Sequence, residues 1–367
     1  MRIGHLTFSY QPITGGGDVY LQSLLGVLAR AGHSQRVYQR ASTAATEEIR
    51  PVPNPLGRFP AAFWTQALFL PTQRGELAKE DLLICHYPVY LLAAAMALPR
   101  GPRLLGLSHG VTWDDHPGLR SAVKRAVAAR AFRRAHAFVA NDTHFLREMG
   151  MAVWPRQNLF ERLGDHAWFI PNCVDAAAFS RADPWPDLAR LNPILVPRNL
   201  YFNRGIHLAI EAFATVARER SDTTLVIVGA ESQPRYAKYC RQLVAEFALG
   251  ERVRFWGPAP HDQMVHVYSS GRLTLIPSVC GEGTSLAALE SMAAGTPVVS
   301  TNVAGLADLP TLHAAPQPAP FAAQILCGLE QRDELAAEQL RAVREVYSLA
   351  NWESAWLAAV DDATRPA

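Results

Sequence analysis

The 367-residue sequence has five cysteines (Cys85, Cys173, Cys240, Cys280 and Cys327), scattered and with no CxxC pair. An odd, unpaired set argues against a disulfide framework and against a cysteine zinc site, and it suits a reducing compartment. No single sign of charge dominates: the formal net charge is +2. A balanced surface gives no general attraction to nucleic acid. No uncharged run reaches the roughly 18–20 residues of a membrane span. The opening residues MRIGHLTFSY lack the apolar stretch behind a basic start that marks a secretory signal. Lysine is scarce, with only Lys79, Lys124 and Lys238, and the chain is short for a phosphorylase using pyridoxal phosphate, which disfavours that enzyme. The spacing of a dinucleotide fingerprint is also missing, and with it the case for a nicotinamide or flavin enzyme.

What is present is an ordinary globular composition, 49% apolar, in a chain long enough for two domains. Short apolar runs alternate with helical patterns. Residues 2–8 read as a strand, and residues 19–30 as a helix with Leu21, Leu24, Leu25 and Leu28 on one face. Further runs at 82–85, 104–107, 137–140 and 168–170 are followed by a second series at 194–197, 224–228, 253–255, 273–276 and 298–300. Strands alternating with helices predict parallel sheets covered on both faces. The sequence DPWPDLARLNP interrupts the pattern. We therefore expect a first domain over 1–175, a linker over 176–193 and a second domain over 194–350, with a C-terminal helix over 351–365 packing back on the first. Two such domains would face each other across a cleft, with ligands at the carboxyl ends of the strands.

Three segments carry chemistry. The first strand leads into Gly15-Gly16-Gly17 before a helix. Such a loop lets backbone approach an anion, although a flexible turn has the same composition. Arg198 ends a strand, and Arg204 stands six residues on at the next helix start. Two guanidinium forks there could converge on one phosphate pair, although most arginines are merely solvated. The third segment runs PSVCGEGTSLAALESMAAGTP over residues 277–297. An apolar strand delivers a glycine-bearing loop, and a helix opens near Thr284 or Ser285 and closes at Gly295. Glu282 stands before that helix and Glu290 two turns into it, so their carboxylates can bracket a ligand. Its phosphates would meet the N–H groups of Thr284, Ser285 and Leu286, beside Gly283. Carboxylates only accept hydrogen bonds, which suits neighbouring hydroxyls of a sugar or ribose.

The frame PS…EG…LE.MA.GTPVV with Glu282 and Glu290 resembles the signature of glycosyltransferase family 4, retaining enzymes of GT-B architecture with two Rossmann-like, doubly wound domains. GGGDVY, Ser108-His109-Gly110, Ile170-Pro171-Asn172-Cys173-Val174-Asp175, Arg198 with Arg204, and the stretches at 225–229 and 253–257 are similar to further family motifs. The resemblance implies transfer of a sugar from a nucleotide-diphosphate donor to a hydroxyl acceptor (a glycan, a glycolipid or a secondary metabolite). No metal or other cofactor is expected, since the sequence offers no convincing cluster of oxygen ligands and the two arginines already supply the positive charge a metal would bring. The resemblance also implies that Glu282 binds donor-sugar hydroxyls and Glu290 the ribose. Arg198 and Arg204 would neutralise the diphosphate, the loop around Gly16 would close on it, and His109 would sit near the donor sugar. The nucleobase would lie near residues 256–259. Thr284-Ser285 stands where many members have Phe-Gly, Arg204 where Lys is commoner, Cys173 at a frequent glycine and Ala304 in a glycine pair.

His86, Trp113 and Asp114 are candidates for the acceptor side, with a structural histidine as the equal reading of His86. The polar run Asp114-Asp115-His116 suits a loop better than a metal site, since adjacent residues cannot all face one ion. Arg120, Lys124, Arg125, Arg130, Arg133 and Arg134 mark a basic helix. Such a helix can dock on anionic lipid, but a solvated face is the commoner outcome. A cytoplasmic location follows, with the inner membrane face open to contact. Two rival readings are a GT-B protein that binds a nucleotide sugar without transferring it, and a GT-B epimerase.

Overall fold

The structure is a computed structural model. It describes all residues except 14, 42–45, 47, 57–61, 114–117, 152–159, 165 and 366–367. The chain divides into two compact units, the first Met1–Pro171 with Ala350–Ala367, the second Asn172–Leu349.

In the first unit the strands are β1 (Arg2–Leu6), β2 (Ser34–Arg40), β3 (Ile49–Val52), β4 (Leu82–Cys85), β5 (Arg103–Ser108), β6 (Ala137–Ala140), β7 (Glu161–Leu163) and β8 (Ala167–Phe169). They form one sheet in the order β3-β2-β1-β4-β5-β6-β8-β7. Every pairing is parallel except β7 with β8. Central strands are buried on both faces, which is why β4 is the unbroken apolar run LLIC. Helix Gly16–Arg30 buries Leu21, Leu24 and Leu28 of the expected stripe. Helix Leu349–Thr364 closes the unit, burying Trp352 and Trp356. The indole N–H of Trp356 donates to the Tyr20 hydroxyl at 3.0 Å.

The second unit contains β9 (Pro193–Val196), β10 (Thr224–Val228), β11 (Val253–Gly257), β12 (Leu273–Ile276), β13 (Val298–Thr301) and β14 (Leu312–Ala314). Their order is β11-β10-β9-β12-β13-β14, and all pairings are parallel. Counted within the unit this is 3-2-1-4-5-6, a doubly wound sheet whose order reverses between β9 and β12. The first unit reverses in the same way between β1 and β4.

Residues 176–193, read from their prolines as a linker, are part of the second unit. Leu188 is fully buried. The backbone N–H groups of Ala182 and Trp185 donate to the hydroxyls of Ser269 and Ser270 at 3.1 and 2.9 Å. Prolines there shape the local path of the chain, and its tertiary partners set the unit to which it belongs.

Candidate functional site

The switch point of the second sheet gathers the charged residues. Strand β9 ends just before Arg198. After a short 3-10 turn, Phe202–Arg204, the chain passes through Gly205 into helix Ile206–Glu219. Gly205 has φ +67°, and a Cβ there would lie 1.8 Å from the carbonyl oxygen of Pro277. A side chain is excluded, so the helix start packs directly on the loop that follows β12. That contact brings Arg204 to Glu282.

Arg198 and Arg204 both form ion pairs with one oxygen of Glu282. The Ser278 hydroxyl donates to the same oxygen at 2.7 Å. Arg198 also donates to the hydroxyls of Ser285 and Ser278, at 3.2 and 3.3 Å. The side chains of Glu282 and Arg198 are 7% and 9% exposed, whereas Arg204 retains 30%. Burial would raise the Glu282 carboxyl, but Arg198, Arg204 and the Ser278 hydroxyl outweigh it and hold it below the usual carboxylate range. Burial pulls the Arg198 guanidinium down to about 10, with Arg204 adding to the effect and Glu282 opposing it. Its Nε is buried without a hydrogen-bond partner among the described residues.

The helix after the loop runs Leu286–Ala293 with Ser285 at its N-cap. Gly283, Thr284 and Ser285 are buried and Leu286 half-buried. The Thr284 hydroxyl accepts the Asn172 backbone N–H at 2.8 Å, and its carbonyl accepts the Asn172 side-chain amide. The Ile170–Asp175 motif is thus tied to the two-glutamate loop through Asn172, by a threonine that departs from the family pattern.

Glu290 lies two turns from Glu282 and meets neither arginine in these contacts. Its carboxylate accepts the Tyr268 hydroxyl at 2.8 Å and faces His261 Nε2 at 2.9 Å. That hydrogen bond, against the pull of burial, raises the His261 pKa. Trp256, 37% exposed, stacks on Trp185 with centroids 6.4 Å apart. Tyr268, His261 and Trp185 were not singled out in the sequence. They lie on separate elements, and no spacing links them to Glu290 or to Trp256.

In the first unit Gly15, Gly16 and Gly17 are exposed at the start of helix Gly16–Arg30. Asp18 accepts the Gly15 N–H at 3.2 Å and the Ser9 hydroxyl at 3.2 Å, fixing the turn. His109 follows β5 and is half-buried. Tyr20 meets its ring edge-on at 4.9 Å, and the His86 ring stacks on it at 5.7 Å. His86, a candidate for acceptor contact, is 1% exposed. Trp113 is 8% exposed and donates to Glu148 at 3.2 Å. Asp114 lies outside the described residues.

Two switch points with charged or ring-bearing loops define a two-domain, doubly wound architecture, and known proteins share it. Residues 14–177 match the family model Glycosyltransferase Family 4, and residues 193–331 match Glycosyl transferases group 1. The D-inositol 3-phosphate glycosyltransferase of Frankia alni is 33% identical over 343 residues, covering 82% of this chain and 82% of that protein. The enzyme of the same name from Corynebacterium glutamicum is 32% identical over 346 residues, covering 83% and 81%. Among solved structures, sucrose-phosphate synthase from Thermosynechococcus elongatus superposes with TM-score 0.80 at 19% identity, covering 98% of this chain and 97% of that one. Anabaena HepE in complex with UDP gives 0.77 at 18%, covering 98% and 100%. The chain belongs to the family 4, group 1 glycosyltransferases, and its fold is GT-B.

Proposed function

We propose that this glycosyltransferase takes its sugar from a nucleotide-diphosphate donor held by the second unit and transfers it to a hydroxyl with retention of configuration. The convergence of Arg198 and Arg204 on a buried carboxylate beside a helix start carries the reading. Breaking the anomeric carbon–oxygen bond leaves negative charge on the departing diphosphate. Guanidiniums fixed beforehand stabilise that charge without reorganising. The unpartnered Nε of Arg198 is a donor that a phosphate oxygen would satisfy. Two cations at the leaving group supply the charge that a metal would otherwise bring, and metal independence is part of the proposal.

Glu282 takes the donor-sugar hydroxyls in this reading and Glu290 the ribose. The Gly15–Gly17 loop and His109 are the first unit's contributions, at the diphosphate and beside the sugar. HepE is known in complex with UDP-glucose, which makes uridine donors the first to try. No helix among the described residues is long and apolar enough to cross a membrane. Contact with an anionic membrane is proposed for the exposed side of helix Leu119–Phe132, where Arg120, Arg125 and Arg130 accompany exposed Leu119 and Val123. The five cysteines, free in the structure, suit a cytoplasmic setting.

A thermal-shift panel of nucleotide sugars in excess chelator tests the donor assignment. A donor at 100 times its Kd should stabilise the native state by about 2.7 kcal/mol. Stabilisation only after magnesium or manganese is restored would overturn the metal-free reading. The anomeric configuration of the product, read by NMR, tests retention.

A further inference from the structure

Beneath His109 lie two more histidines that the proposed reaction does not use. His5, on β1, is fully buried, and His86, directly after β4, is 1% exposed. Both stand at the switch point of the first sheet. Buried imidazoles in a chain must alternate donor and acceptor, because a neutral ring has one of each.

One end of this chain is fixed. The Gln35 side-chain N–H donates to the Leu25 carbonyl at 2.8 Å. A carbonyl can only accept, so the amide cannot be turned over. Its oxygen then faces His5 Nε2 at 3.1 Å and must accept, which puts the His5 proton on Nε2. Burial pulls His5 down to about 4 and keeps it neutral, leaving a lone pair on Nδ1. That atom faces His86 Nε2 at 3.3 Å, so His86 must donate from Nε2. Burial, aided by His5 and His109, holds His86 well below its ordinary pKa and therefore neutral. Its ring lies nearly parallel to that of His109, at 20°. Tyr20 and Tyr87 enclose the His109 ring from other sides.

We propose that Gln35, His5 and His86 are positioning residues for His109: a one-way hydrogen-bond chain that locks His86 in its Nε2–H tautomer and in a single orientation, giving the His109 imidazole a flat, uncharged platform. The proposal rests on the role assigned to His109 above. That reading assigns no donor contact to Gln35, His5 or His86, so the loss of the chain acts on turnover rather than on donor affinity.

Long-range proton–nitrogen NMR of the labelled protein at pH 7.5 reads the tautomers without any activity. His5 and His86 should both carry hydrogen on Nε2 alone, and an Nδ1–H tautomer or a charged ring at either would overturn the chain. His86→Phe keeps a ring beneath His109 but withdraws the donor from His5. It should lower kcat about tenfold or more with the donor KM unchanged. Should that variant fold poorly, Gln35→Leu leaves both imidazoles in place. It should mix the His5 and His86 tautomers and lower kcat in the same direction, and His86→Gln, whose side-chain N–H can still donate to His5, should recover part of the loss seen in His86→Phe. Unchanged kcat in Gln35→Leu, with the tautomers mixed, would overturn the positioning role. Calorimetry of a nucleoside diphosphate on the parent protein separates this failure from failure of the donor assignment, because the diphosphate contacts assigned to Arg198 and Arg204 do not involve the histidines.

Discussion

Glu282 faces two guanidiniums, and the balance among the three decides what each substitution does. Removing one partner of a buried pair leaves an uncompensated charge, at about 3–5 kcal/mol for a fully buried pair and less here because Arg204 keeps 30% exposure. Glu282→Ala should therefore lower Tm. A nucleoside diphosphate would restore the missing negative charge, so it should raise the Tm of the variant more than that of the parent. Equal rises in a thermal-shift series would show that the arginines do not receive the phosphates. The convergence of Arg198 with Arg204 was legible in the sequence, because a strand end and the following helix start are neighbours in any doubly wound sheet. The partners of Glu290 were not legible. Tyr268 and His261 come from elements 22 and 29 residues away, and only tertiary packing brings them to the carboxylate.

Elements differ in how plainly the sequence announces them. Strands β4, β9 and β12 lie inside their sheets and read as apolar runs, because both faces are covered. Strand β2, SQRVYQR, has an exposed or half-buried first half, and its polar residues hid it. Strand β14, with three residues and two of them half-buried, gave no run to detect. The prolines of residues 176–193 signalled a break in regular structure, but they carried no sign of the bonds to Ser269 and Ser270. The junction of β9, the 3-10 turn and helix Ile206–Glu219 depends on Gly205. Gly205→Ala would place a methyl against the Pro277 carbonyl at a left-handed backbone position. The positive φ alone costs about 1–3 kcal/mol, and the clash adds to it. Urea unfolding should show at least that loss together with weaker nucleotide binding, since Arg204 moves with the turn. An unchanged midpoint would contradict the close packing of helix start and loop.

At the scale of the whole molecule, buried histidines tie stability to pH. His5, His86 and His109 are held neutral in the first unit by burial, with His5 and His109 pulled down to about 4. Below pH 6.5 the unfolded chain takes up protons that the folded unit refuses, so stability falls as pH falls from about 6.5 toward 4. The slope is about 1.4 kcal/mol per pH unit for each histidine fully titrated in the unfolded chain only. In the second unit burial likewise lowers His207 and His313, whereas His261 has the opposite sign. Its raised pKa contributes stability that is complete below 6.5 and is lost as pH rises through the folded value. Denaturant titrations between pH 7.5 and 5.5 should therefore show the first unit weakening, with a flatter slope in His86→Phe; equal slopes would mean that His86 is not held neutral. The GT-B fold and the two-glutamate segment were the most legible features of the chain, because glycines, carboxylates and a capped helix fall in one short segment. The histidine chain was not, since His5, Gln35 and His86 are widely spaced in sequence and meet only through sheet order. The most direct test of the proposed donor site is calorimetric titration of UDP, in excess chelator, into the parent protein and Arg198→Ala. The proposed donor assignment predicts binding to the parent and at least tenfold weaker binding to the variant, the loss of one hydrogen-bonded charge at about 1.5–3 kcal/mol. Equal affinity in the two proteins would contradict the assignment of this cluster to the diphosphate.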